Sequence, residues 1–446
     1  MNKSYELIRE YVDSLYIVDT HEHLPERCEH LENLKNLNPD WDILSEYLPH
    51  YMNCDLRSAG LSLKSLKQVT SDYDMSIIER WDMVEPYWNA ARYTGYARAL
   101  DIAVQDIYGL PGLNRNTIEE ANEKFQASLG KNQYEKILKE KSKIIISILD
   151  RDNIDRDVPL CERGCDSRYF RSVFHLENFY YPKQWEEINR IETAFGITMH
   201  RFEDWLGACE ESIDKAIAKG AIGFKTTMAY TRSLDIKRPS FHEAEETWNS
   251  FYSMKRMPDF SSKPLNATKA FQDYVIHFIL SCLAKRDLPV QIHTGIQDGY
   301  GNFLDHTNPT LLCNLFLEYP DITFDVFHMG YPYQHELSAL AKMFPNVFID
   351  MCWAHVISPI AAQNALIEWI DAVPINKICA FGGDYLFVDG VYGHQVLARQ
   401  NVSISLATKI EAGVFDVDEA KVIAKMLFVD NPANLFGLNN LVKEYN

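Results

Sequence analysis

The sequence predicts an α/β protein folded as one (β/α)8 TIM barrel over residues 1–446, with a helical insertion at 24–143. Two observations carry this prediction. Eight short runs of β-branched and other apolar residues alternate with stretches of helix length, as repeated strand–helix units require. Histidine and aspartate residues stand at the ends of several of these runs, and the strand ends of a barrel converge on one mouth.

The strands are expected at the apolar runs and the helices between them. Between the fourth and fifth runs, apolar residues recur at helical spacing over 271–283, which predicts a crossover helix. Pro320, Pro345 and Pro374 each stand between a helix-length stretch and the next run, where a proline ends a helix at little cost. The eight runs are 16–20, 144–149, 171–175, 221–226, 290–293, 322–328, 347–351 and 378–382.

The connection between the first and second runs is unusually long, at about 120 residues. It includes two aromatic-rich patterns of helical type, around 81–88 and 93–108. We interpret 24–143 as a helical insertion over the barrel mouth. A separate domain is the alternative, but no Gly/Ser/Pro-rich linker, repeat or low-complexity tract marks one.

The chain is acidic, with 63 acidic and 44 basic residues and a formal net charge of −19. This charge argues against nucleic acid or anionic membranes as partners, so a small-molecule substrate is expected, and a homo-oligomer stays open. No secretory signal and no run of roughly 20 apolar residues is present, which favours a cytoplasmic protein. The nine cysteines are scattered as in reduced proteins, and the close pair Cys161 and Cys165 has no second pair to complete a zinc site.

The candidate metal-binding side chains stand at the strand ends. The first run ends in DTHEH, and because side chains alternate along a strand, His21 and His23 point to the same side and can grip one divalent cation. A pair of turn or surface histidines is the simpler interpretation of so short a motif. However, His293 ends the fifth run, His328 the sixth, and Asp384 follows the eighth. Four strands that each end in a ligand-type side chain favour a metal site.

In the order of these residues the sequence resembles the amidohydrolase superfamily. The strings QIHTG, FHMGYPY, NVFIDMCW, KICAFGGDY and DNPANLFGL resemble its second amidohydrolase family, which includes amidohydrolase-like regions fused to glutamine synthetase. Uronate isomerases are similar more distantly. The resemblance implies that His21, His23 and Asp384 bind the principal metal, that His293 binds this metal or a second one, and that His328 binds a second metal or polarises the substrate. Zinc is expected, with manganese or iron as alternatives.

Other polar side chains near the strand ends are candidates for contacting a substrate. Lys225 ends the fourth run and could bind a carboxylate or, as a carbamate, bridge two metals; the alternative is a solvated charge at a strand end. For the remaining candidates the alternatives are packing, loop polarity or pairing within the helix layer. They are Tyr230, Arg232, His175, Trp353 and Arg92.

The resemblance implies a metal-dependent enzyme. We expect a hydrolase that cleaves a C–N, amide-type bond of a small, carboxylated molecule with metal-activated water, with Asp384 transferring the proton and His328 stabilising charge on the attacked carbonyl. A uronate-isomerase-like or decarboxylating enzyme on the same metal site is one alternative. A catalytically silent binding protein is another, because a fold does not guarantee activity.

Overall fold

Eight parallel strands form one sheet in chain order, each hydrogen-bonded to the next. The computed structural model describes residues 3–26, 40–130, 132–150, 165–255, 259–299 and 301–445. Every strand lies at one of the predicted runs, and helices lie between successive strands except β2 and β3, between which the described residues form no helix. The arrangement confirms the predicted (β/α)8 barrel. The strands are β1 Ile17–Glu22, β2 Ile144–Leu149, β3 Phe170–Phe174, β4 Ala221–Thr226, β5 Val290–Ile292, β6 Phe324–Val326, β7 Val347–Asp350 and β8 Ile378–Cys379.

The chain around the last strand meets the first strand through backbone hydrogen bonds that do not belong to a regular pair of strands. β8 is two residues long, and the chain beyond it runs alongside β1. The Thr20 N–H donates to Phe381 O at 3.1 Å, and the Asp384 N–H donates to His21 O at 2.8 Å. The barrel is therefore nearly closed, and the residues after β8 lie directly against the end of β1.

Helices cover the outside of the barrel. The predicted crossover helix is Lys269–Ala284, which buries Phe271 and Val275. Asp416 caps the helix Val417–Lys425 and forms a capping box with Glu419. The other helices outside the β1–β2 connection are Lys3–Ser14, Glu177–Tyr180, Trp185–Phe195, Phe202–Ala218, Phe241–Met254, Cys313–Glu318, Gln334–Met343, Ala354–Ile357, Pro359–Ala372, Val388–Glu411, Asn431–Leu435, Asn439–Val442 and the π-helical Met426–Asp430.

The described part of the connection between β1 and β2 is mostly helical, and the two aromatic-rich patterns fall in Ile77–Ala91 and Gly95–Tyr108. The latter helix packs closely on Val388–Glu411, since a Cβ added at Gly393 would lie 1.9 Å from Ala99 O. None of the helices in the described ranges is both long and apolar enough to cross a membrane. The helices of this connection are Ile43–Tyr47, Met52–Ser58, Leu63–Ser71, Ile77–Ala91, Gly95–Tyr108, Ile118–Ser128 and the π-helical Glu135–Lys141.

Candidate metal centre

The two histidines at the end of β1 face the loop that follows β8. His23 Nε2 lies 3.1 Å from Asp384 Oδ1, and His21 Nε2 lies 3.6 Å from the same oxygen. One ligand atom from each of the three side chains lies within 4.8 Å of the other two. Donors of one tetrahedral ion, each bonded at roughly 2.0–2.2 Å, are separated by about 3.4 Å. The three side chains, which we call the ligand group, therefore fit a divalent cation such as zinc.

The backbone of Asp384 is held from two sides. Its φ of +59° lies in the left-handed region, which is unfavourable for a residue other than glycine. The Asp384 N–H donates to His21 O at 2.8 Å, and the Tyr51 hydroxyl donates to Asp384 O at 2.6 Å. These contacts stabilise the conformation that turns the carboxylate toward the two histidines. Tyr51 stands in the connection between β1 and β2 and had no signal in the sequence.

The two acids of the DTHEH motif are fully buried and join β1 to the same loop. Asp19 accepts a hydrogen bond from the Gly383 N–H at 3.0 Å, and Glu22 accepts one from the Tyr385 N–H at 2.9 Å. Burial raises the pKa of Asp19 to about 6. Burial, and next the charge of Asp19, raise the pKa of Glu22 well above its ordinary value. These acids fix the loop that carries Asp384 relative to the histidines of β1.

Burial and neighbouring charges set the protonation of the ligand group. Burial, and next the charge of Lys225, hold the pKa of His21 well below 6.5, so its ring is neutral at pH 7. Burial alone would lower the pKa of His23, but the charges of Asp150 and Asp384 raise it above 6.5. Burial alone would raise the pKa of Asp384, but the hydrogen bond from His23 and the nearby histidines hold it well below 3.8. Asp384 is therefore ionised at neutral pH.

His293 and His328, which follow β5 and β6, form a pair beside the ligand group. His293 Nδ1 lies 2.8 Å from His328 Nε2. The other nitrogen of His293 lies 3.0 Å from Ile296 O, and that of His328 lies 3.1 Å from Cys352 O. His328 Nδ1 also lies 3.9 Å from Asp384 Oδ2. The structure thus brings both predicted histidines to the site, with His293 bonded to His328 and outside the three-residue ligand group.

Lys225 is buried at the end of β4, with 1% of its surface exposed. Its Nζ lies 3.3 Å from His21 Nε2 and 3.9 Å from the centre of the Phe327 ring. A solvated charge at the strand end, the alternative for this residue, is therefore wrong. Lys225 Nζ instead lies within contact distance of one member of the ligand group.

Two of the predicted aromatic residues pack on the histidine pair. The Tyr230 ring lies 4.6 Å from the His293 ring, and its hydroxyl accepts a hydrogen bond from the Asp298 N–H at 3.1 Å. The Trp353 ring lies 5.2 Å from the His328 ring, edge to face, and stacks on Tyr51 at 4.6 Å. Aromatic surface therefore flanks the pair on two sides.

His175 lies between two carboxylates and connects to the ligand group through one of them. Its Nε2 lies 2.5 Å from Asp150 Oδ1, and its Nδ1 lies 3.0 Å from Glu177 Oε2. Asp150 directly follows β2, and its Oδ2 lies 3.4 Å from His21 Nε2. Sequence reasoning missed Asp150, although a carboxylate directly after an apolar run is the signal that identified Asp384.

The two arginines among the predicted substrate contacts lie elsewhere. Arg232 pairs with Asp273 at 2.6 Å and donates to Gln272 Oε1 at 3.2 Å. Arg92 is exposed, and its guanidinium lies 5.8 Å from the centre of the Tyr93 ring. Across the described residues, no hydrogen bond or ion pair joins either arginine to the ligand group. The structure therefore does not bring them to the site.

One cysteine belongs to the site and was not singled out from the sequence. His328, Cys352 and Asp384 form a second group whose ligand atoms lie within 4.8 Å of one another. Burial raises the pKa of Cys352 well above 9. Of the close pair in the sequence, Cys161 lies outside the described residues, and Cys165 Sγ lies 3.8 Å from Phe170 O.

A family model described as Amidohydrolase matches residues 191–438, more than half of the chain. The chain belongs to this amidohydrolase family. Protein fluG of Emericella nidulans is 26% identical over 239 residues, which make up 51% of this chain and 27% of that protein. The chain thus covers about a quarter of the length of this curated relative.

Solved structures share the fold along nearly the whole chain. The uronate isomerase from Thermotoga maritima superposes with a TM-score of 0.76 at 14% identity and covers 98% of both chains. The glucuronate isomerase from Caulobacter crescentus has a TM-score of 0.73 at 17% identity and covers 98% of this chain and 94% of that one. At these identities the likeness shows the fold alone. The family match, and not this likeness, is what places the chain in the amidohydrolase family.

Proposed function

We propose that the protein is a cytoplasmic, metal-dependent hydrolase that cleaves the C–N bond of an amide-type, carboxylated small molecule. The observation that supports this most is the ligand group at the barrel mouth with a histidine pair beside it. His21, His23 and Asp384 would hold the metal. Zinc suits two imidazole nitrogens and one carboxylate, which leave a position for water.

Asp384 is the residue that we expect to move the proton. A bound divalent cation supplies Lewis acidity, which activates water and polarises a carbonyl group. Because Asp384 is ionised at neutral pH, it can accept the proton of the attacking water and return it to the leaving nitrogen. Tyr51 holds the backbone of its loop, so the carboxylate is positioned before the reaction begins.

The histidine pair offers a second place for a proton. Its three contacts, with Ile296 O, with Cys352 O and between the rings, need three N–H protons. Burial lowers the pKa of His328 to about 4 and holds that of His293 well below 6.5, so both rings are neutral at pH 7 and carry two protons. One contact then lacks a proton. We assign His328 the stabilisation of charge on the attacked oxygen, because its Nδ1 lies 3.9 Å from Asp384 Oδ2 and the ring therefore stands beside the proposed proton carrier.

The substrate would be bound by side chains that surround the ligand group. Lys225 supplies a cation for a substrate carboxylate, and Tyr230, Trp353 and His175 supply aromatic and polar surface. We further propose that the insertion at 24–143 covers the mouth, because Tyr51 reaches from it to Asp384.

A second candidate is the conversion of a uronate between its aldose and ketose forms. The architecture shared with the Thermotoga maritima uronate isomerase covers 98% of both chains, so it includes the helices between β1 and β2. The same ligand group would serve this reaction. In that case Lys225 would bind the carboxylate of the sugar acid.

Metal analysis tests the site. We expect one tightly bound divalent metal per chain, and a large loss of metal in His21→Ala or His23→Ala, because no neighbouring side chain replaces the lost imidazole. His242→Ala is the matched control, since the His242 side chain is 78% exposed and should not affect metal content. Full occupancy and normal activity in both variants would refute the ligand assignment.

A substrate panel tests the reaction. Amides of small carboxylic acids are assayed for amine or ammonia release, and uronates for aldose–ketose conversion, each with intact and metal-depleted protein. Metal-dependent amine release supports the hydrolase. Conversion of uronates without any amine release would establish the isomerase in its place.

A further inference from the structure

A narrow cleft lies between the helices of the β1–β2 connection and the residues that follow Asp384. Its space for water-sized spheres is about 10 Å³, room for one water molecule or one small ion, and the surrounding empty space of about 250 Å³ includes open solvent. Its described lining includes Glu46, Phe125, Gln133 and Tyr134 from the β1–β2 connection, and residues 386–389. Leu24 and Pro25, which directly follow His23, complete the described lining. The cleft therefore borders both chain segments that carry metal ligands, and none of the ligand group lines it.

Among the residues that the structure describes, two buried oxygens at this cleft have no hydrogen-bond partner. Asp389 is 2% exposed, and its Oδ2 accepts hydrogen bonds from the hydroxyls of Tyr47 at 2.6 Å and Tyr108 at 2.5 Å, while its Oδ1 accepts none. Gln133 is 5% exposed, and its Oε1 likewise accepts no hydrogen bond. A buried acceptor without a partner is unfavourable. Both oxygens therefore call for a positively charged or hydrogen-bond-donating partner.

The described lining offers no such partner from the protein. Glu46 adds a second carboxylate, whose Oε2 accepts a 2.7 Å hydrogen bond from Trp41 Nε1. The Tyr134 hydroxyl already donates to Pro25 O at 2.6 Å, and the described lining residues include no lysine, arginine or histidine. Burial raises the pKa of Glu46 to about 7; the hydrogen bond from Trp41 lowers this pKa and the charge of Asp389 raises it.

We propose that this cleft binds one small monovalent cation, K⁺ or NH₄⁺, between Glu46, Gln133 and Asp389. Carboxylate and amide oxygens are the donors that hard cations prefer, and the rings of Phe125 and Phe387 add surface that attracts a cation. Mg²⁺ fits less well, because it retains several waters in octahedral geometry. A bound cation would hold the segment after His23 against the segment after Asp384 and so brace the loops that carry these ligands.

The first experiment measures binding to the intact, metal-loaded protein. KCl, NH₄Cl, NaCl and CaCl₂ are titrated at constant ionic strength against choline chloride, and the melting temperature is followed, with calorimetry for the dissociation constant. The expected result is a saturable rise with K⁺ or NH₄⁺, and comparison of the two salts identifies the ion. A melting temperature that follows ionic strength alone means that water fills the cleft and overturns the proposal. A saturable response to Na⁺ or Ca²⁺ alone overturns the choice of ion.

Two substitutions of Gln133 test the location of the cation site. Gln133→Leu removes the free oxygen and should weaken binding by roughly tenfold. Gln133→Glu keeps the shape, adds a charge and should tighten binding. Unchanged affinity in both variants would place the ion elsewhere and overturn the site; if Gln133→Leu fails to fold, the tighter binding of Gln133→Glu remains decisive. Cation binding that survives in His23→Ala shows that the cleft functions independently of the proposed metal centre and its reaction.

Discussion

Asp384 serves as a metal ligand and a proton carrier in the proposed reaction, and one substitution separates its charge from its shape. Asp384→Asn keeps the size but cannot accept a proton at neutral pH. We expect kcat to fall by roughly 10²–10⁴-fold at saturating metal, with a small change in the urea midpoint. Asp418→Asn is the control, since the Asp418 side chain is 90% exposed. An active Asp384 variant with an unchanged pH–rate profile would exclude this residue from catalysis.

Lys225 opposes a metal electrostatically while it favours an anionic substrate. Its Nζ lies 3.3 Å from His21 Nε2, so removal of its charge should leave metal binding equal or tighter. Lys225→Met should instead raise KM or lower kcat by roughly 10–100-fold, as expected for a lost hydrogen bond to a charged group. Metal content and kinetics are measured on the same preparation. Loss of metal that bicarbonate does not restore would identify Lys225 as a bridging carbamate.

The sequence predicts a site residue when the position of that residue at a strand end is enough to place it at the barrel mouth. His21, His23 and Asp384 follow that rule, and they lie together in the structure. Tyr51 does not, because its bond to Asp384 depends on how the long connection folds back over the strand ends. Arg232 stands next to a strand end, but its ion pair with Asp273 depends on how a distant helix packs. Local sequence patterns therefore identify the candidate ligands better than they identify the residues around those ligands.

At the scale of elements, strand positions follow from apolar runs, but strand lengths do not. The sixth run covers 322–328, whereas β6 is Phe324–Val326. Ile322 and Phe327 are as buried as the strand itself, so hydrophobicity continues where the ladder of hydrogen bonds has ended. His328, just beyond, has a φ of +61°, which turns the chain out of the strand. Hydrogen bonds to the adjacent strands determine where a strand ends. A run of apolar residues in the sequence does not carry that information.

Helix packing can be tested with two glycines that sit inside helices. A Cβ at Gly393 would lie 1.9 Å from Ala99 O, where two helices meet, whereas one at Gly207 would meet nothing within 4 Å. We expect Gly393→Ala to destabilise the protein by about 1–3 kcal/mol through overpacking. Gly207→Ala should stabilise it by about 0.5–1 kcal/mol through the higher helix propensity of alanine. Urea unfolding of both variants checks the opposite signs, and equal effects would contradict the close packing.

At the scale of the whole molecule, two histidines behind β8 link stability to pH. His355 Nε2 lies 2.8 Å from Ala380 O, and His394 Nδ1 lies 3.0 Å from Gly383 O. Both side chains are fully buried. Burial lowers the pKa of His355 to about 4 and that of His394 to about 3. Both rings are therefore neutral in the folded protein at pH values where the unfolded chain already binds protons.

The sign of the resulting pH dependence follows from this difference. Above pH 6.5, the ordinary pKa of histidine, His355 is neutral in both states and stability does not depend on it. As pH falls from 6.5 to about 4, the unfolded chain takes up a proton that the folded protein excludes, so the free energy of unfolding decreases. The decrease from this residue is about 3 kcal/mol. Urea unfolding of chelator-treated protein, which removes any effect of metal release, should show it across this range.

His355→Gln isolates this contribution, because glutamine keeps a hydrogen-bonding group but does not titrate. Loss of packing or of the bond to Ala380 O shifts the free energy of unfolding equally at every pH, whereas loss of the titrating group changes its slope. We therefore expect a variant that is less stable near pH 7 but loses about 2–3 kcal/mol less than the wild type on acidification. His242→Gln, at an exposed side chain, should retain the wild-type slope. Parallel curves for His355→Gln and wild type would show that His355 does not link folding to pH.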